Sequence, residues 1–337
     1  MPEPRHLLFL FVDHFEPDSA EHVRDWVSRY AQLAARHRDS GGRAPQHTWF
    51  YWATRPDELA ALKAAVDAGL GEVELHLHHD RDTAETLTGR IREHLAALVT
   101  AGLRSPSEPV PYAFIHGKWA LDNSRGGRWC GVNNELQVLR QTGCFADFTF
   151  PAWGSMQPRK HDSIYYATDD PERPKSYDTG VDAQVGRPPS GDLLIFQGPG
   201  RRAGHARLAR VRPLRWLLDC LTVYPDITAC CPATPRRIRN WVQRNIHVKG
   251  RPEWVFVKCH THGARREDYD ALFGPAADAM YSELETRYND GREWRLHYVT
   301  AREACNIVRA AEKKLQGDPE LFRGLEIAPY VRPAGGA

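Results

Sequence analysis

No stretch of the 337-residue chain holds the run of about 18 apolar residues that a membrane span requires, so nothing in it is expected to cross a bilayer. Charge of one sign is also missing: 45 Lys and Arg stand against 43 Asp and Glu, a formal net charge of +2. That balance removes any bulk electrostatic case for nucleic acid or an anionic membrane as partner. Cysteine is sparse and scattered. The seven residues (Cys130, Cys144, Cys220, Cys230, Cys231, Cys259, Cys305) include no C-x-x-C spacing, which argues against a disulfide framework and against cysteine-ligated structural zinc. An export leader is not expected either, because the apolar run Leu7–Val12 is short and is cut off by Asp13. Reduced thiols in the cytosol, and so a cytoplasmic protein, are the expectation. Repeats, low-complexity tracts and an interdomain linker are absent too. A single domain over residues 1–337 is therefore expected, long enough to bury a large core.

What is present is a repeated strand-then-helix rhythm. Leu7–Val12 is continuously apolar, as a strand buried on both faces would be. Asp18-x-x-Glu21 reads as a capping-box start for a helix with Val23, Trp26, Val27, Tyr30 and Leu33 on one stripe. Strands are expected at Thr48–Trp52, Val73–His78, Tyr112–His116, Cys144–Phe150, Asp192–Phe196, Trp254–Cys259 and Leu296–Val299. Helices are expected over 55–68, from Asp82-x-x-Glu85 to the stop at Gly102, over Asn134–Thr142, over 235–245 after Thr234-Pro235, and after the capping box Thr300-x-x-Glu303. Such a series points to an α/β fold of the (β/α)-barrel type. Residues 151–190 break the rhythm with six prolines and read as an irregular inserted loop, a binding loop or lid. Arginine is dense at 201–215 and 236–244, which suits either a solvated face or a phosphate-bearing substrate.

Polar residues collect where the strands end. Asp13-His14-Phe15-Glu16 follows the first strand, His76-Leu77-His78-His79-Asp80-Arg81-Asp82 ends the third, His116-Gly117-Lys118-Trp119 follows the fourth, and His260-Thr261-His262 closes the strand at 254–259. Asp147 and Thr149 lie late in the fifth. In a parallel barrel these ends converge on the face where active sites form. On a strand, Glu74, His76 and His78 share one face while Val73, Leu75 and Leu77 pack on the other. Two imidazoles with nearby carboxylates make a ligand set for a divalent ion such as zinc. Asp80 is then a ligand or the acceptor that orients one, Glu74 a second such acceptor, His79 a structural residue on the opposite face, and Asp82 the next helix's N-cap. His116 and Trp119, with Asp147, are expected to line a substrate pocket.

The order of these segments resembles the polysaccharide deacetylases, carbohydrate esterases with a distorted (β/α)7 TIM-like barrel. The matching residues are Phe-Val-Asp13-His14, where the family ends its first strand in Asp-Asp, and Thr48-Trp49-Phe50-Tyr51. They continue with Gly71-Glu72-Val73-Glu74 leading to His76, then Asn134–Asp147, and the late strand Val255–His260. The likeness covers most of residues 7–310. It departs from the family pattern at His14, at His76-x-His78-His79-Asp80, and at His116. The resemblance implies hydrolysis of an N-acetyl or related N-acyl group on a sugar, using one divalent metal ion, with Zn2+ the expected one. It implies Asp13 as general base, His260 or His262 as general acid, and a metal held by His14, His76, His78 and Asp80. The expected partner is a small-molecule or oligosaccharide substrate. Two alternatives stay open: an amidohydrolase-like metal hydrolase, and a catalytically silent carbohydrate-binding barrel using Trp119, Trp129 and Trp153.

Overall fold

The computed structural model describes residues 3–152, 154–200 and 224–330. The arginine-rich segment 201–215 and Trp153 lie outside them. The described chain runs β1 (Arg5–Phe15), α1 (Ala20–Ala34), β2 (His47–Tyr51), α2 (Pro56–Asp67), β3 (Gly71–Leu77), α3 (Ala84–Thr100), β4 (Tyr112–His116), α4 (Glu135–Gln141) and β5 (Cys144–Asp147). It continues with β6 (Ile164–Ala167), β7 (Val181–Asp182), β8 (Leu193–Phe196), α5 (Pro235–Gln243), β9 (Trp254–Thr261), α6 (Tyr269–Phe273), α7 (Pro275–Tyr288), β10 (Trp294–Tyr298) and α8 (Ala301–Glu312).

The sheet is rich in parallel pairs, and its main ladder runs β9-β1-β2-β3-β4-β5-β8. β1 is the central element: β9 pairs along one edge, while β10 and β2 divide the other. Among the described residues no ladder joins β8 to β9. Side chains span that seam instead: the Phe196 and Phe256 rings meet edge to face at 5.5 Å, and the Lys258 ammonium donates to the Phe148 carbonyl. The expected insert at 151–190 is not wholly irregular. β6 and β7 fall within it and extend the sheet antiparallel from β8.

Strand alternation sorts the side chains into two apolar shells. Leu8, Leu10 and Val12 of β1 face inward with Phe50, Ala113, Ile115, Phe148 and Phe196, and α8 packs into the same core. Leu7, Phe9 and Phe11 face outward against α5 and α7. This two-sided burial is what the unbroken apolar run Leu7–Val12 requires. Each fully buried large side chain contributes on the order of 1.5–3 kcal/mol, so neither shell is dispensable.

Cap chemistry adjusts several boundaries. Ser19, not Asp18, caps α1, its hydroxyl accepting from the His22 amide. Thr83, not Asp82, caps α3 in a reciprocal box with Thr86, leaving the Asp82 carboxylate to accept from the Thr86 hydroxyl at 2.8 Å. The Thr300–Glu303 box at the start of α8 forms as expected.

Candidate metal centre

The inward-facing rows of three strands carry their polar residues at the carboxyl ends. β1 presents Val12, then His14, then Glu16 just past its end; β3 presents Glu74, His76 and, beyond its end, His78; β9 presents Lys258, His260 and then His262. His76 is fully buried and is held by its Nδ1–H, which donates to the Ile115 carbonyl at 2.8 Å. That bond turns the His76 Nε2 lone pair outward. The His78 Nε2 lies 3.0 Å from it, and the Glu16 Oε1 lies 3.3 Å from His76 Nε2 and 3.0 Å from His78 Nε2. Three ligand atoms thus meet at one point, one of them oriented from behind by a backbone acceptor, the usual arrangement around a protein-bound metal.

His14 sits beside this trio. Its ring centroid is 5.1 Å from that of His76 and 4.7 Å from that of His262, on which it stacks, while His260 and Trp119 lie at 6.0 Å. Trp119 also meets His262 edge to face at 5.8 Å. Burial, reinforced by the neighbouring imidazoles and Lys258, holds His14 and His260 well below the ordinary imidazole value. Burial and Arg265 lower His262 to about 3. These rings therefore stand neutral at pH 7, as metal ligands and proton acceptors must. Burial alone would raise the Glu16 carboxyl, but the adjoining imidazoles of His76 and His78 hold it well below the usual carboxylate range.

A wall of backbone brings His78 into place. Gly117 packs flat against the His78 ring, and a Cβ on it would lie 2.6 Å from the ring's Cγ. A pocket of about 270 Å3 adjoins His78 and is lined also by Asp80, Arg90, Gly117, Lys118 and Trp129, while Glu16 and His76 do not line it.

Of the residues expected from sequence, His14, His76, His78, His260, His262 and Trp119 come together. Glu16, which the sequence places in the strand-end cluster without a role, joins them as a candidate ligand. The signal was the same alternation that paired His76 with His78: His14-x-Glu16 repeats it on β1. Asp13 occupies the opposite face of β1. Its carboxylate accepts from His47 Nε2–H at 3.0 Å and from the Gly263 amide at 2.7 Å, and burial raises its pKa. Gly263 must lack a side chain, because a Cβ would fall 2.1 Å from Asp13 Oδ2.

Four further residues stand elsewhere than expected. Asp80 is not aimed at the trio: its Oδ1 accepts from the Trp129 amide at 2.6 Å and so pins the 117–131 loop. His116 does not line a sugar pocket, being fully buried with its ring 4.5 Å from that of His79. Asp147 is sealed in as well, its Oδ1 accepting from the Thr149 hydroxyl at 2.6 Å, and burial lifts it to about 7. Glu74 orients no histidine. It accepts from Arg104 at 2.8 Å and from the Tyr330 hydroxyl at 2.7 Å.

No family model matches the chain, and no curated protein does. Among solved structures, the chain is similar to an alpha-mannosidase from Enterococcus faecalis V583, with 10% identity and a TM-score of 0.45. The match covers 93% of this chain, which spans about 30% of that structure's length. Among the described residues, no helix is long and apolar enough to cross a membrane.

Proposed function

We propose that the chain is a metal-dependent hydrolase that removes an N-acetyl or related N-acyl group from a sugar-containing substrate, on a parallel sheet rolled as a deacetylase-type barrel. The observation that carries this reading is the convergence of His76 Nε2, His78 Nε2 and Glu16 Oε1 within 3.0–3.3 Å of one another at the carboxyl ends of the strands. Those three would hold a divalent ion, zinc being suited to two imidazoles and a carboxylate, with His14 adjacent. When bound there, such an ion supplies a Lewis acid for an amide carbonyl and lowers the pKa of water.

The chain's own residues supply the rest. His14 and His262 form a stacked, neutral pair beside the trio, able to take a proton from the attacking water and return it to the leaving amine. His260, behind them, lies 3.7 Å from the Asp226 carboxylate, which would steady its protonated form. Asp13 acts as a positioning residue: by gripping the Gly263 amide it fixes the turn that carries His262. Trp119 offers an apolar face for a sugar ring.

The test is metal content and turnover together. Wild type should retain about one divalent ion at this site and release acetate from N-acetylated amino sugars. His76→Ala should lose that ion and all turnover. Retention of the full metal complement in His76→Ala, or a metal-loaded wild type inert on every N-acylated sugar tried, would overturn the reading. Asp13→Asn should keep its metal and lose most of its turnover, while the residual activity retains the acid limb of its kcat/KM profile. Disappearance of that limb would instead make Asp13 the base.

A further inference from the structure

A second polar cluster lies behind the first, and the hydrolytic reading makes no use of it. His79 follows β3, His116 ends β4, Cys130 lies in the loop that follows, and Glu135 opens α4; all four are buried. One ligand atom from each falls within 4.8 Å of the other three. The His79 Nε2 is 3.1 Å and the His116 Nε2 3.4 Å from Glu135 Oε1, and the Cys130 Sγ is 3.3 Å from Glu135 Oε2. A tetrahedral zinc with bonds of about 2.0–2.3 Å holds its ligands about 3.3–3.8 Å apart. The separations to Glu135, 3.1–3.4 Å, lie at the short end of that range or just under it, and the four atoms together stay within 4.8 Å.

The ring orientations point the same way. The His116 Nδ1–H donates to the Gly117 carbonyl at 2.6 Å, and the His79 Nδ1 faces the Asp82 carboxylate at 3.2 Å. The His116 imidazole is gripped from behind by a carbonyl, so its Nε2 presents a lone pair to the shared centre, while the Asp82 carboxylate stands near the His79 Nδ1 without a hydrogen bond to it. The His116 Nε2 has no hydrogen-bond partner, although it is buried and aimed at the cluster. Two lone pairs and a carboxylate facing one another without a cation are costly in an interior. A proton on one ring would satisfy two of these groups; a metal ion satisfies all four. With Glu135 ionised and the Cys130 thiol giving its proton to solvent, the two negative charges offset the dication and leave a neutral buried unit.

We infer that His79, His116, Cys130 and Glu135 form a structural divalent-metal site, best suited to zinc, that locks the 117–134 loop against the ends of β3 and β4. This inference does not rest on the hydrolase reading. Through Gly117 and His79 the site holds the backbone on both sides of His78, so it would support the first centre from behind. Among the described residues it is the only candidate ligand group that contains a thiol, which makes it separable from the first centre by spectroscopy.

The experiment is expression in cobalt-supplemented medium, with cobalt stoichiometry and absorption measured on the purified full chain. Wild type should carry two cobalt ions per chain and show a near-ultraviolet thiolate-to-cobalt charge-transfer band. His76→Ala should lose one ion and keep the band; Cys130→Ser should lose one ion and the band. A cobalt-loaded wild type without the band, a cobalt-free wild type, or a band that survives Cys130→Ser would overturn the inference. Should Cys130→Ser fail to accumulate, X-ray absorption on the zinc-loaded wild type decides. A sulfur neighbour at zinc supports the site, and a shell of nitrogen and oxygen alone removes it.

Discussion

A histidine's chemistry at this centre is set by what sits behind its ring. His76 is tied to Ile115 through Nδ1, but His78 has no such bond and relies on the flat backbone at Gly117. Gly117→Ala would place a methyl 2.6 Å from the His78 Cγ, and the nearby atoms are the ring itself, so the ring must leave its place. The expected outcome is a loss of metal affinity at the first centre of roughly 10–100-fold, with far-ultraviolet circular dichroism unchanged. Competition against a chelator of known affinity measures it, and unchanged affinity would show that His78 is not a ligand. Glu16→Gln makes a useful companion, because it removes the ligand charge while keeping the shape.

At the scale of elements, the sequence was legible wherever one element's own pattern decided the outcome. The two-sided apolar run of β1, the alternation on β3 and the Thr300–Glu303 box all read correctly, since their determinants lie within a few residues. The alternation also contained Glu16. What could not be read depended on contacts across elements. Cys130 and Glu135 meet His79 only because β3 and β4 are neighbours and the 117–134 loop folds back over their ends. Asp80 looked like a ligand by spacing, yet the loop amide of Trp129 takes its carboxylate. β6 and β7 were hidden because two short antiparallel strands among prolines carry no periodic signal. The capping box of α8 gives a direct check. The Thr300 hydroxyl accepts from the Glu303 amide and also donates to Glu72 at 2.5 Å, joining the helix to the start of β3. Thr300→Ala should cost about 1–2 kcal/mol in urea unfolding, with metal content per folded chain unchanged. A cost near zero would mean that Glu72 and Glu303 re-pair without it.

Over the whole molecule, the candidate metal centres and a buried polar network sit at opposite ends of the same strands. The carboxyl ends carry the two candidate metal centres, and the amino ends carry the polar network around His6, His297 and Asp318, itself a group that could hold an ion. His6 Nδ1 lies 2.9 Å from His297 Nε2, and burial followed by the charge of His297 lowers His6 from 6.5 to about 4. The folded protein therefore keeps His6 neutral over a range where the unfolded chain protonates it. With the folded pKa depressed, the unfolded state binds more protons between pH 6.5 and about 4, so His6's contribution is present above 6.5 and drains away as pH falls through that window. His6→Gln removes this titration. Unfolding free energies of the two proteins should run parallel above pH 6.5, and the wild type should lose on the order of 1–3 kcal/mol relative to the variant by pH 4. Turnover and the occupancy of the two carboxyl-end sites measured at pH 7 should not distinguish them, because no candidate ligand of either site touches His6. A variant that unfolds in parallel with wild type down to pH 4 would show that His6 is as easily protonated folded as unfolded. A variant that loses metal from either carboxyl-end site at pH 7 would show that the two ends of the sheet are coupled.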